Sequence, residues 1–169
     1  GLPDATRIIR EGELRMLRAF YYYFIVQQWG GVHFTLNETT GIVTTANRTP
    51  VDTFYNQIVR DLLIAEANLP LTTSNPGRVT KPAAQAFLAR VYLTMGKNQE
   101  AFNVAEKVLT NTAFSLIKYS DLWNMATPAA TLNKEVIWAV NYSTNLVIND
   151  LVSSVSYPGG HPRGANNGH

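Results

Sequence analysis

The chain has 169 residues, which at roughly 150 residues per domain fits one domain with a core of its own. Apolar residues make up 46% and charged residues 15%, so the sequence is neither of disordered composition nor laced with salt bridges. Its 14 lysines and arginines are scattered against 12 acidic residues, which leaves no phosphate-tracking stripe and excludes nucleic acid as a partner, and the lack of cysteine excludes thiol catalysis, disulfides and thiolate metal sites.

The first helix is expected over residues 11–29. Leu14, Leu17, Tyr21, Phe24 and Ile25 recur at helical spacing, and a second row, Met16, Phe20 and Tyr23, lies on an adjoining face. Apolar over most of its girth, this helix is predicted to be central. Its longest apolar stretch, residues 20–26, is far short of the ~20 residues of a membrane-spanning helix. Gly30-Gly31 closes it, because glycine takes the left-handed conformation of a helix C-terminus without a side-chain clash. Residues 35–48, rich in Thr and Asn, read as a loop.

A second helix starts at Thr49-Pro50-Val51-Asp52, with Thr49 as the cap, Pro50 in the first turn and Asp52 near the positive end of the dipole. Val51, Phe54, Tyr55, Ile58, Leu62, Ala65 and Leu69 form its apolar stripe, while Asp52, Asn56, Gln57 and Arg60 fall off it. Pro70 stops it. After a turn at residues 74–77, Thr80 caps a third helix with Ala84, Phe87, Leu88, Val91, Tyr92 and Met95 on one stripe and Ala83, Ala86 and Ala89 on the other. Small residues permit close approach of a second neighbour, so this helix is expected between two others. Gly96-Lys97-Asn98 leads directly into a fourth helix bearing Ala101, Phe102, Ala105, Val108 and Leu109, and so short a link forces the pair to be antiparallel.

Beyond residue 113 the pattern breaks into short pieces: residues 114–117, a single turn around 119–123, and the apolar run 136–140, which reads as a buried strand. Past Tyr157 there is almost nothing to bury. The expected organisation is a helical domain over residues 1–157 and a flexible tail over 158–169.

Within residues 77–110, Ala89, Tyr92, Gly96, Ala101 and Ala105 match the tetratricopeptide pattern, in which small residues sit where two helices cross and a tyrosine fills the wedge where they diverge. Asn98 stands where an aromatic is common, and no second copy is obvious. The fold class is therefore mainly α, with tetratricopeptide-like antiparallel helix pairs and short strands after the helices.

Four ordered stretches are more specific: RMLRAFYYYFIVQQWGGV (residues 15–32), RTPVDTFYNQIVRDLLIAEANLP (48–70), GRVTKPAAQAFLARVYLTMG (77–96) and NKEVIWAVNYS (133–143). Together they resemble the SusD/RagB family over residues 11–143. The resemblance implies a non-enzymatic, lipid-anchored component of an outer-membrane nutrient uptake system on the extracellular face of a Bacteroidetes-type cell. It further implies an oligosaccharide or other nutrient as ligand and a SusC-type TonB-dependent transporter as partner, with the membrane reached only through a lipid anchor that this chain lacks. His33 departs from the proline usual after Gly-Gly-Val. Members are several hundred residues long, so the chain is expected to be a fragment. The alternative is a tetratricopeptide scaffold binding peptides in a helix groove.

Exposed aromatics are what a sugar ring stacks on, and Trp29, Trp123 and Trp138 are the tryptophans available. The spacing of Trp29 and Trp138 argues burial, which leaves Trp123, with Tyr119 beside it, as the ligand-binding candidates. No catalytic residue is assigned: Asp61 with Glu66, and Glu100 with Glu106, lie five and six apart on helices and read as solvated surface. His33, His161 and His169 form no metal-ligand spacing, and no nucleotide loop or serine elbow occurs, so neither metal nor cofactor is expected. Arg15 and Arg18 are read as covering apolar surface with their stems and satisfying a neighbouring carboxylate or helix end with their heads.

Overall fold

The computed structural model describes residues 1–122, apart from Val43, Ala46 and Pro76, together with residues 134–139. Its elements are helices α1 (Asp4–Trp29), α2 (Val51–Asn68), α3 (Lys81–Thr94), α4 (Asn98–Leu109) and the single turn α5 (Tyr119–Leu122). The protein is mainly α, and no strand occurs among the described residues. Residues 136–139 of the run expected to be a buried strand join no ladder; Val140 lies outside the described residues. The chain divides into Gly1–Ala139 and Val140–His169, and the second unit, with the tail boundary expected at residue 157, is likewise outside them.

α1 begins seven residues before its expected start. Nothing between Asp4 and Arg10 breaks a helix, Asp4 stands in the first turn near the positive end of the dipole, and extending an existing helix adds one hydrogen bond per residue fixed. At the other end Gly30 takes φ +66° and its N–H closes on Val26 O, as expected. Gly31 has a steric reason to be glycine: a Cβ there would collide with Thr49 O, where the chain returns and Thr49 N–H donates to Val32 O at 3.0 Å. The cap expected of Thr49 does not form, because Pro50 takes the cap position. α2 starts at Val51 behind Pro50, with no side-chain cap, and Thr80 precedes α3 at the cap position but its hydroxyl makes no cap bond either.

The α1–α2 pair is antiparallel, as its register shows: Gly12 faces Asn68 and Leu69, Arg15 and Arg18 face Asp61, Tyr22 packs on Phe54, and Gln27 hydrogen-bonds Tyr55. α3 packs against both α2 and α4, in the intermediate position its two stripes predict. The core is built from Met16, Ala19, Tyr23 and Val26 of α1, Phe54, Ile58, Leu62 and Ala65 of α2, Ala84, Leu88 and Val91 of α3, and Val104 of α4.

Two apolar assignments change. In α1 it is the second row, with Met16 and Tyr23, that is buried, whereas Leu14, Leu17, Tyr21 and Phe24 of the expected main stripe face outward. The helix is central on one face only among the described residues. In α4, Val104 joins Ala101 and Val108 inside, while Phe102 and Leu109 are exposed, because rotation by one position places 101, 104 and 108 on a single face toward α3.

Candidate functional site

The strongest chemical feature lies between α1 and α2, at a carboxylate the sequence placed on the surface. Asp61 is fully buried. Gln57 and Asp61, four residues apart, sit inside the apolar stripe of α2 between Phe54, Ile58 and Leu62, and face Arg15 and Arg18, three apart on α1. Arg18 donates from Nε to Asp61 Oδ2 and from Nη2 to Oδ1, both at 2.7 Å, a fork that matches the carboxylate plane. Oδ1 also accepts from Arg15 Nη1 at 3.1 Å and from Gln57 Nε2 at 2.9 Å. Glu11 completes the cluster by accepting from Arg15 Nη2 at 3.1 Å. Among the described residues no buried side-chain polar atom lacks a partner, so the charge is compensated in full. The Asp61 hydrogen bonds hold the Arg18 guanidinium above its ordinary pKa, against a smaller opposing effect of burial.

The same arginines face outward into an open cavity of about 550 Å³, lined by Arg7, Arg10, Glu11, Leu14, Arg15 and Arg18. Arg7 pairs with Asp4 at 2.8 Å and Arg10 with Glu13 at 2.7 Å. The four guanidinium groups are thus each paired with a carboxylate, Asp4, Glu11, Glu13 or Asp61, and the cavity is lined by no unpaired arginine. It can offer hydrogen bonds to a neutral polar group. Glu13 also accepts from Arg78 at 2.6 Å, fastening the chain before α3 to α1.

A second polar junction ties α2, α3 and α4. Glu66 accepts from Gln85 at 2.9 Å and from Lys107 at 2.8 Å. Burial pushes its pKa up, but the bonds from Lys107 and Gln85 outweigh that and hold it below the usual glutamate value. Burial likewise raises Tyr92, helped by Glu100, and raises Tyr55 against the hydrogen bond from Gln27.

Of the two ligand-binding candidates, Tyr119 opens α5 and is 77% exposed, and Trp123 lies outside the described residues. Trp138, expected to be buried, is only partly so: it packs edge-on to Phe20 with centroids 5.5 Å apart, and its indole N–H donates to Gly77 O at 2.9 Å. The expectation for Trp29 fails. It is 61% exposed, because it falls in the last turn of α1, away from the buried face marked by Tyr23 and Val26.

The solvated reading also fails for Asp61 and for Glu66, whose side chain is largely covered between α2, α3 and α4, and holds for Glu100 and Glu106, which are exposed. Arg15 and Arg18 do what was read for them, satisfying a neighbouring carboxylate. A signal for the cluster existed in the sequence, namely polar residues interrupting an apolar stripe at i and i+4. Among the described residues no three acidic or histidine side chains converge as a metal site, and no helix is long and apolar enough to cross a membrane.

The sequence pattern of the SusD-like family, described as starch-binding and associating with the outer membrane, matches residues 7–93. A SusD-like protein of Formosa agariphila is 32% identical over 148 residues, which are 82% of this chain and 29% of that protein. Among solved structures, a SusD superfamily protein from Parabacteroides distasonis superposes with a TM-score of 0.78 at 27% identity, covering 91% of this chain and 35% of its own. A laminarin-binding SusD-like protein gives 0.73 at 28% identity, covering 81% and 31%. The chain therefore spans about a third of the length of the relatives it matches.

Proposed function

The chain belongs to the SusD-like family, and from that premise we propose that it is part of a carbohydrate-binding protein of an outer-membrane nutrient uptake system. In this reading the protein captures an oligosaccharide on the extracellular face of the outer membrane and passes it to a SusC-type TonB-dependent transporter, without chemical turnover. The observation that carries it is the family match over residues 7–93, which take in most of α1, all of α2 and most of α3. A laminarin-binding protein among the structural relatives supports a glycan as the ligand class.

In this reading the part of the protein described serves as framework. Its strongest polar groups are spent on one another: Asp61 on Arg15, Arg18 and Gln57, and Glu66 on Gln85 and Lys107. α3 and α4, with the three-residue link between them, serve as a tetratricopeptide-type pair, and Tyr119 with Trp123 are retained as the aromatic candidates for sugar contact. A peptide-binding scaffold is the competing reading.

The test is affinity electrophoresis and calorimetry of the protein against starch-type, laminarin-type and xylan-type glycans, combined with pull-down from outer-membrane extracts. Saturable glycan binding and recovery of a large outer-membrane barrel are expected. Capture of extended peptides with no glycan retardation and no barrel would reject the reading in favour of the scaffold. Hydrolysis of a bound glycan would reject the non-enzymatic part of it.

A further inference from the structure

Midway along the α1–α2 pair the polar side chains are spent on one another, but at the end of the pair they are not. Arg15, Arg18, Tyr22, Ile25 and Trp29, at i, i+3, i+7, i+10 and i+14, lie on one flank of α1, roughly 100° around the helix from its buried row. The first three meet Asp61 and Phe54 of α2. Trp29 ends the row, a large apolar ring left 61% exposed. The last turn of α1 and the first turn of α2 lie side by side here: Gln27 hydrogen-bonds the Tyr55 hydroxyl, and a Cβ on Gly31 would lie 2.4 Å from Thr49 O and 4.0 Å from Val51 N. Space beside the ring is open, since a Cβ on the adjoining Gly30 would meet nothing within 4 Å. Gln28 and Asp52 are exposed, and neither of them, nor the Trp29 indole N–H, hydrogen-bonds any of the described residues. The exposed charges carried by residues 28–33 and 48–52, Arg48 and Asp52, are opposite in sign.

We propose that Trp29 is a stacking platform for a pyranose ring of an oligosaccharide, a sugar contact additional to Tyr119 and Trp123. The face of an indole is electron-rich and attracts the polarised C–H groups of a sugar laid flat on it, and the contact removes apolar surface of both from water. Sugar hydroxyls are donors and acceptors at once, and both partners are present at this end: the Gln28 amide donates and accepts, the Asp52 carboxylate accepts, and the Trp29 indole N–H donates. A phosphate or a metal ion would use only one half of that set. An apolar protein partner would instead leave the Asp52 carboxylate covered and unpaired, which is costly. The platform rests on the reading of the protein as glycan-binding. It draws on no residue of the Asp61 cluster, so its loss leaves the framework intact.

The test is fluorine NMR of the 169-residue chain carrying fluorotryptophan at its 3 tryptophans, with Trp29→Phe used to identify the Trp29 resonance. Maltohexaose, laminarihexaose and xylohexaose are titrated in turn, and calorimetry follows the same additions. The Trp29 resonance is expected to shift saturably with at least one of them. A sugar that binds by calorimetry without moving that resonance overturns the platform and leaves the glycan-binding reading standing, whereas failure of every sugar to bind overturns both. A shift of the Trp29 resonance on concentrating the chain without sugar assigns the ring to a second copy and also overturns the platform. A second measurement uses variants: Trp29→Ala should bind the sugar about ten-fold more weakly at an unchanged Tm, Trp29→Tyr should recover most of that loss, and Gln28→Ala and Asp52→Asn should each weaken binding several-fold. Equal affinity of Trp29→Ala and the parent again overturns the assignment.

Discussion

The α1–α2 contact and the α3–α4 contact hold helices together by different chemistry. Between α1 and α2 the connection is long, so the link does little to fix how one helix lies along the other. Register is instead marked by charge: Asp61 accepts hydrogen bonds from Arg15, Arg18 and Gln57, and these can be satisfied at one axial position only. Between α3 and α4 the chain turns within residues 95–97, orientation follows from connectivity, and the contact is made by small and apolar residues, Ala101, Val104 and Val108 among them. Where the loop cannot set the register, a directional polar cluster does; where it can, packing suffices.

The difference can be broken most severely at Asp61. Asp61→Ala leaves two guanidinium groups facing a buried gap and is expected to remove about 3 kcal/mol of stability in urea unfolding. Replacing Asp61, Arg15 and Arg18 together by Leu, Met and Met should be much milder, since an apolar cluster of similar volume removes the orphaned charges along with the carboxylate. If the triple variant is as unstable as the single one, the cluster contributes direct stability rather than register.

On the apolar side, Leu88→Ala opens a cavity at a fully buried position of α3 and should cost about 2–3 kcal/mol, without the rescue available to the charged cluster. Gly31→Ala comes next, at about 1–2 kcal/mol, because its methyl would collide with the Thr49 carbonyl and push away the chain whose Thr49 N–H bonds Val32 O just before α2. Equal stability of this variant and the parent in thermal unfolding would show that the loop yields freely.

The smallest expected effect is at Glu66, and it depends on pH. Its folded pKa lies below the value of 4.5 it has when unperturbed, so the unfolded chain takes up the proton first on acidification. The stability it contributes is therefore fully present above that unperturbed value and is lost as pH falls through the folded one. Glu66→Gln should cost about 1 kcal/mol at neutral pH, and the difference from the parent should shrink below pH 4.5. A difference that is constant across that window would mean that the charge on Glu66 is not what Lys107 and Gln85 stabilise.

Helix positions were legible in the residues for local reasons. Gly30, Pro50 and Pro70 bound α1 and α2 where backbone chemistry leaves little choice, and the periodicity of α3 announced two neighbours before either was placed. The caps were not legible, because Thr49 and Thr80 have the right side chains but Pro50, not Thr49, takes the cap position of α2, and the hydroxyl of Thr80 makes no cap bond. The burial of Asp61 is legible only through the apolar stripe it interrupts, since a carboxylate on a helix otherwise reads as solvated surface.

By itself, the sequence determined the four main helices, their breaks, the close pairing of the third and fourth, and, through four ordered motifs, the family. These depend on contacts within a few residues or on a pattern carried along the chain. Only the tertiary structure decided which of the two apolar faces of α1 enters the core and that Asp61 joins α1 to α2. A helical repeat records that a face is apolar, but whether that face is buried depends on the element that reaches it from elsewhere in the chain, and no local spacing encodes that partner.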